Sequence, residues 1–286
     1  ICFVPLAGLD DARLLPAALA DALGAIPTDS EDPAQHVTAF LRDKELLLVL
    51  DNFEPLMDAA EWIGQLLAGA PQVKLLVTSQ EPLRLHEEWL VDLAGLTAPA
   101  INVDSETAAE TYGAVHLFLQ IARRLHPHYA PTPADWLAIG QVCRTLRGMP
   151  LGIELAAVWI RQFSAPQIAE AIGRGLDFLT TNMRNAPERH RSLRAAFDYS
   201  WRLLAPDVQA IFAQLATFHG GFTLVSAAAI AGAQRHHLAL LVEKSLLQRA
   251  GDRYDMHPML SRFAAEQLAA DPDESHAAHA RHAAFY

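Results

Sequence analysis

Cysteine is nearly absent from this chain: only Cys2 and Cys143 occur, far apart and in no metal or redox spacing. That excludes a disulfide framework and suits a reducing compartment, so a cytoplasmic location is expected. No apolar run approaches the roughly 18 residues of a membrane helix. No basic start followed by an apolar segment marks a secretory signal. Lysine is also scarce, with Lys44, Lys74 and Lys244 the only three. The shortage of bases is local. Residues 1–100 hold 16 acids and 5 bases, residues 101–190 hold 8 of each, and residues 191–286 hold 9 of each, so the first third carries the whole net charge of −11. An acidic first third is a poor nucleic-acid platform and the remainder is neutral rather than basic, which reads most simply as a solvated acidic surface. No repeat of fixed period and no low-complexity tract is present. The chain starts inside a strand-like run, Ile1-Cys2-Phe3-Val4-Pro5, and stops at Tyr286 inside a helical pattern. Both ends are expected to be cuts in a longer protein.

What is present is organised around Glu45-Leu46-Leu47-Leu48-Val49-Leu50-Asp51-Asn52-Phe53-Glu54. Five apolar residues stop at an acidic cluster. Such a run predicts a strand buried on both faces of a parallel sheet. Ligands of these sheets bind beyond the carboxyl ends of the strands, where the Asp51 carboxylate could hold Mg²⁺ through oxygen. The alternative is a core strand ending in a polar turn. Ile1–Val4 and Val73–Val77 read as further strands, and Leu90–Leu93 as a weaker fourth. Between them, apolar residues at helical spacing predict helices through Leu14–Leu23, Val37–Leu41 and Leu56–Leu67, with Asp29–Pro33 a polar loop. Alternation of strand and helix predicts a parallel α/β sheet with right-handed crossovers over residues 1–96.

From about residue 97 the strand-like runs vanish. Helices are expected through Val115–Ala122, Trp136–Leu146, from Pro150 through Trp159, and after Pro166, giving an all-α domain over 97–182. Thr180 to Pro187 is the expected linker. In residues 190–286, helices are expected through Leu193–Leu204, from Pro206, and through Leu224–Ile230 and Leu238–Val242. Leu246–Arg249 and Arg253–Met256 flank Ala250-Gly251-Asp252, a hairpin signal, and another helix follows His257-Pro258. Several helices and then a hairpin is the order of a winged helix-turn-helix domain.

Four features in order carry a resemblance: "LLLVLDNFEPL", "LLVTSQEPLRL", "GMPLGIELAA" and the Met256-His257-Pro258 that follows the hairpin, with "SLRAAFDYSWRLL" between the last two. Together they resemble the NB-ARC module of STAND ATPases, P-loop NTPases found in bacterial multidomain regulators. The resemblance covers nearly the whole chain. It implies an N-terminally truncated P-loop NTPase sheet, an all-α domain and a winged helix closing over ADP or ATP with Mg²⁺. It places Asp51 on the metal, Glu54 near the attacking water, Pro150 against adenine and His257 at the β-phosphate of ADP. Thr78 and Gln80 fall at the end of a strand beside the nucleotide. It also implies self-association on activation, and effector and sensor domains outside this chain.

Three departures bear on activity. No G-x-x-x-x-G-K-[ST] occurs, so the phosphate cradle and its lysine are missing from these residues. Gln80 stands where the family usually has an arginine that senses the γ-phosphate. Asn52 follows Asp51 where many relatives carry a second acid, and an amide is no general base. The expectation is a slow ATPase at most in the parent protein, acting as a nucleotide-dependent regulatory switch. One alternative is a DNA-binding transcription factor reading through Arg235–Ser245, whose Arg235 and Lys244 are little charge for phosphate contacts. Another is a scaffold that has lost its nucleotide. Contact of this segment with nucleic acid or membrane is not expected.

Overall fold

The computed structural model describes residues 1–25, 32–100, 111–181 and 190–286. The loop expected at Asp29–Pro33 and the linker expected at Thr180–Pro187 fall largely outside these residues. The chain divides into two units, Ile1–Asp92 with Glu243–Ser245, and Leu93–Val242 with Leu246–Tyr286.

The first unit is built on three parallel strands in the order β1 (Cys2–Pro5), β2 (Leu46–Asp51) and β3 (Val73–Val77). The register aligns Pro5 with Asp51 and Leu50 with Val77, so the three carboxyl ends lie level. Helices α1 (Leu15–Leu23), α2 (Pro33–Leu41) and α3 (Ala60–Gly69) occupy the connections. Local chemistry sets their limits. Pro16 opens α1 and Gly24, at φ 66°, closes it in the left-handed conformation; Asp32 caps α2 by accepting from the Ala34 N–H. Val4, Leu48 and Leu50 are buried with Leu15, Leu19, Val37, Leu41 and Ile63 in one core.

Burial of the sheet is one-sided, unlike the expectation from the unbroken apolar run. Successive side chains of a strand point to opposite faces. Phe3, Val49 and Leu76 are in register across the other face, and Phe3 and Leu76 are 58% and 54% exposed. Leu90–Leu93 forms no strand, contrary to its composition. Trp89, Leu90, Val91 and Leu93 are all exposed. A strand needs a neighbour to take its N–H and C=O groups, and among the described residues none pairs here.

The second unit is mostly helical: α4 (Gly113–Leu125), α5 (Pro133–Thr145), α6 (Pro150–Val158), α7 (Ala165–Arg174), α8 (Leu193–Arg202), α9 (Pro206–Gln214), α10 (Leu224–Ala231), α11 (Arg235–Glu243), α12 (Pro258–Ala269) and α13 (Pro272–Phe285). Reciprocal capping boxes start α5 at Thr132/Asp135 and α7 at Ser164/Gln167. A three-stranded antiparallel sheet, β4 (Phe222–Thr223), β6 (Arg253–Asp255) and β5 (Gln248–Ala250) in that order, contains the expected hairpin, turned by Gly251 at φ 64°. The hairpin is shorter than its sequence suggests. Ser245 turns left-handed at φ 59°, and the amides of Leu246 and Leu247 both donate to the Leu241 carbonyl, which finishes α11 instead. One apolar core runs from Phe118 and Ile139 through Ile153 and Leu193 to Phe212 and Phe263.

Candidate functional site

In the first unit the carboxyl end of β2 is tied to its neighbours by backbone bonds. The Leu6 N–H donates to the Asp51 carbonyl at 2.9 Å, the Thr78 N–H to the Leu50 carbonyl at 3.0 Å, and the Phe53 N–H to the Thr78 carbonyl at 3.0 Å. Asn52 takes φ 71°, a left-handed conformation that asparagine tolerates better than most side chains. The chain therefore turns sharply after Asp51, and the Asn52 N–H points at Thr78 Oγ1, 3.0 Å away. Thr78 Oγ1 in turn lies 2.6 Å from Asp51 Oδ1. Phe53, fully buried, anchors the turn in the core. Glu54 is buried at the start of a short 3₁₀ turn, Glu54–Ala59, and Gln80 is half-buried three residues past β3.

Asp51 and Thr78 are thus brought into contact. A cleft of about 720 Å³ also opens beyond β1 and β2, lined by Asp10, Asp11, Arg13, Pro55, Asp58 and Trp62 among others. It does not include Asp51. Hydrogen bonds from Arg13 hold the Asp11 carboxyl down at about 2, so the one cation there is already matched. Asp10 and Asp58 line the same cleft, so its lining is net acidic.

In the second unit the Gly-Met-Pro segment is a helix-to-helix turn. Leu146 caps α5, Gly148 adopts φ 70°, Met149 caps α6, and Pro150, exposed, occupies its first turn. The Leu96 N–H donates to the Gly148 carbonyl at 2.8 Å. A Cβ on Gly148 would lie 1.8 Å from the Leu96 carbonyl oxygen, so the position admits only glycine. Arg147, next to it, pairs with Asp255 at the end of the hairpin at 2.7 Å.

His257 bridges the same turn. Its Nδ1 accepts from the Met259 N–H at 3.1 Å and caps α12; its Nε2 lies 3.0 Å from the Leu146 carbonyl oxygen. With Nδ1 an acceptor, the ring proton is on Nε2, which donates to Leu146. Burial pushes the His257 pKa below its ordinary value, with Arg147 adding to that, against the Leu146 bond and Asp255. The neutral ring is therefore the folded form. Its contribution to stability is complete above the unfolded value of about 6.5 and is lost as pH falls through the depressed folded value. A His257→Asn variant, which can still cap α12 but does not titrate, is expected to show a shallower fall in melting temperature between pH 7 and pH 5. Equal slopes in thermal scans would show that His257 does not set this dependence.

The residues singled out in the sequence thus form two groups: Asp51, Thr78, Glu54 and Gln80 in the first unit, Pro150 and His257 in the second. Sequence reasoning missed Asn52 as the turn residue and Arg147–Asp255 as a tie. The Asp-Asn pair after an apolar run was the available signal for the first; the second carries none.

No family model matches the chain. A Walker-type ATPase of Pyrococcus abyssi superposes with a TM-score of 0.53 at 12% identity, over 92% of this chain and 83% of that one. The fold is therefore that of a P-loop ATPase. Among curated proteins, a Mycobacterium tuberculosis protein provisionally described as an HTH-type transcriptional regulator is 33% identical over 300 residues, matching 100% of this chain. A second M. tuberculosis protein, uncharacterised, is 31% identical over 228 residues, covering 79% of this chain and 54% of its own length. The chain spans about a third of the length of the first relative, 32%. No described helix is long and apolar enough to cross a membrane.

Proposed function

We propose that these residues form the nucleotide-dependent switch module of a STAND-type (NB-ARC) ATPase within a larger regulator. The observation that carries the reading is the Asp51 carboxylate, half-buried at the carboxyl end of the middle strand of a P-loop ATPase sheet and held there by Thr78. The donor chemistry fits Mg²⁺, which takes hard oxygen ligands and is commonly held by one or two carboxylates together with substrate phosphates. Bound Mg²⁺ would neutralise charge on the phosphates of ADP or ATP. Asp51 is its ligand in this reading; Glu54 orients water, and Gln80, uncharged, weakens discrimination of a γ-phosphate. Pro150, exposed at the head of α6, offers a rigid apolar ring to adenine.

His257 supplies the switch. Its Nε2–H now serves the Leu146 carbonyl, and a β-phosphate would compete for that same donor. Residues 190–286, read as a winged helix, would answer to the nucleotide through this one bond. Self-association on activation, effector and sensor segments elsewhere in the protein, and action in the cytoplasm complete the reading. The provisional description of the M. tuberculosis relative supports a regulator.

The test is ADP affinity, measured by calorimetry on the full-length protein. Mg²⁺-dependent binding is expected, with His257→Ala weakening it by about tenfold, the scale of one hydrogen bond to a charged group. The 286 residues alone are expected to bind weakly or undetectably, for want of a phosphate cradle. A longer protein that ignores ADP would establish the scaffold reading instead. The alternative is direct DNA contact by Arg235–Ser245, and sequence-independent retardation of DNA at low salt by this chain would support it.

A further inference from the structure

We infer that Thr78 is the positioning residue for Asp51: its hydroxyl, fixed by the Asn52 backbone, holds Oδ1 and leaves Oδ2 as the oxygen for the cation. The inference rests on the nucleotide reading above but assigns Thr78 a role on the carboxylate rather than on the nucleotide.

Counting protons fixes the direction of each bond. A threonine hydroxyl has one hydrogen and two lone pairs. Asn52 N–H can only donate, and it meets Thr78 Oγ1 at 3.0 Å. That bond consumes a lone pair and sets the direction of the rest. The hydroxyl hydrogen is left to point at Asp51 Oδ1, 2.6 Å away, within the range of a short charge-assisted bond. The hydroxyl cannot rotate to serve another acceptor without abandoning one of the two. Its own backbone is fixed as well, since the Thr78 N–H and C=O are bonded to Leu50 and Phe53.

Asn52 completes the device. Its left-handed turn at φ 71°, which asparagine and glycine accept most readily, carries the chain from the Oγ1 bond to the Phe53 N–H, which donates to the Thr78 carbonyl. The carboxylate is thus set in rotation before any ligand arrives. Magnesium demands near-ideal octahedral geometry, so a preset oxygen matters more to it than to a tolerant cation. Groups that orient a metal ligand typically change metal affinity 10–100-fold when removed.

The experiment has two readouts, both on the full-length protein. The first is metal-free: amide hydrogen exchange at Asn52. Protection is expected in the wild type and in Thr78→Ser, and its loss in Thr78→Val, which keeps the shape and removes the hydroxyl. The second is the Mg²⁺ concentration that half-saturates ADP binding. Thr78→Val is expected to raise it by about tenfold or more. Thr78→Ser should hold it within about twofold, and Asp51→Asn should raise it at least as much as Thr78→Val. If Asp51→Asn raises the half-saturating Mg²⁺ and Thr78→Val does not, the positioning role is wrong and the nucleotide reading stands. If Thr78→Ser fails as badly as Thr78→Val, Thr78 matters through packing and the inference is overturned. If Asp51→Asn changes nothing, the nucleotide reading fails and the inference fails with it.

Discussion

Gly148→Ala is expected to destabilise the second unit by at least about 3 kcal/mol, the combined scale of a strained left-handed residue and an overpacked contact. Two independent costs meet at this residue. An L side chain at φ 70° is strained whatever surrounds it. The added methyl would also fall 1.8 Å from the Leu96 carbonyl oxygen, and that oxygen belongs to backbone rather than to a side chain that can swing away. Relief requires separating the Leu96 segment from the turn, which breaks the Leu96 N–H bond to the Gly148 carbonyl. A loss of this size is a large part of the roughly 5–15 kcal/mol that typically holds a domain together. Gly173 provides the contrast. It lies exposed in α7 with nothing within 4 Å of the place a methyl group would take, and Gly173→Ala should be neutral or stabilising by up to about 1 kcal/mol. Urea unfolding of both variants decides the matter. A Gly148→Ala protein within about 1 kcal/mol of wild type would mean that the Leu96 segment gives way easily.

The second large effect is expected at Phe53. Its ring is fully buried, and its backbone joins the Asp51 turn to both the end of β3 and the following 3₁₀ turn, through Thr78 and Leu56. Phe53→Ala should cost about 3–5 kcal/mol through lost burial and the cavity left behind. Phe53→Leu, closer in volume, should cost less than about 1.5 kcal/mol. The alanine variant should also expose the Asn52 and Phe53 amides to exchange, because the turn that aims them has lost its anchor. Exchange rates and denaturant midpoints measured on one set of samples test both halves. A cost under about 1 kcal/mol would show that the turn is held by its backbone bonds alone.

Much of this architecture is legible in the sequence because its signals are local. Unbroken apolar runs marked β2 and β3, helical spacing marked α1 to α3, and Gly251 marked the hairpin turn. The failures share a cause. Leu90–Leu93 has a strand's composition, yet a strand is a relation between two segments, and composition reports only one. The one-sided burial of β2 is similar: the run of leucines and valine shows what could be buried, not which face receives helices. The site was legible as residues and not as contacts. Thr78 and Asp51 are 27 positions apart, His257 and Leu146 are 111 apart, and nothing in either neighbourhood encodes the other. Gly148 stood in the sequence only as part of GMPLGIELAA, and the carbonyl that makes it indispensable belongs to Leu96.

His257 has one further consequence. Its two ring nitrogens face opposite poles of two helices: the N–H meets the electronegative carbonyl end of α5, and the lone pair meets the electropositive amide end of α12. A neutral imidazole has a dipole of its own, and here it lies head to tail between two larger ones. The two helix ends therefore favour the same tautomer, with the proton on Nε2 and the lone pair on Nδ1.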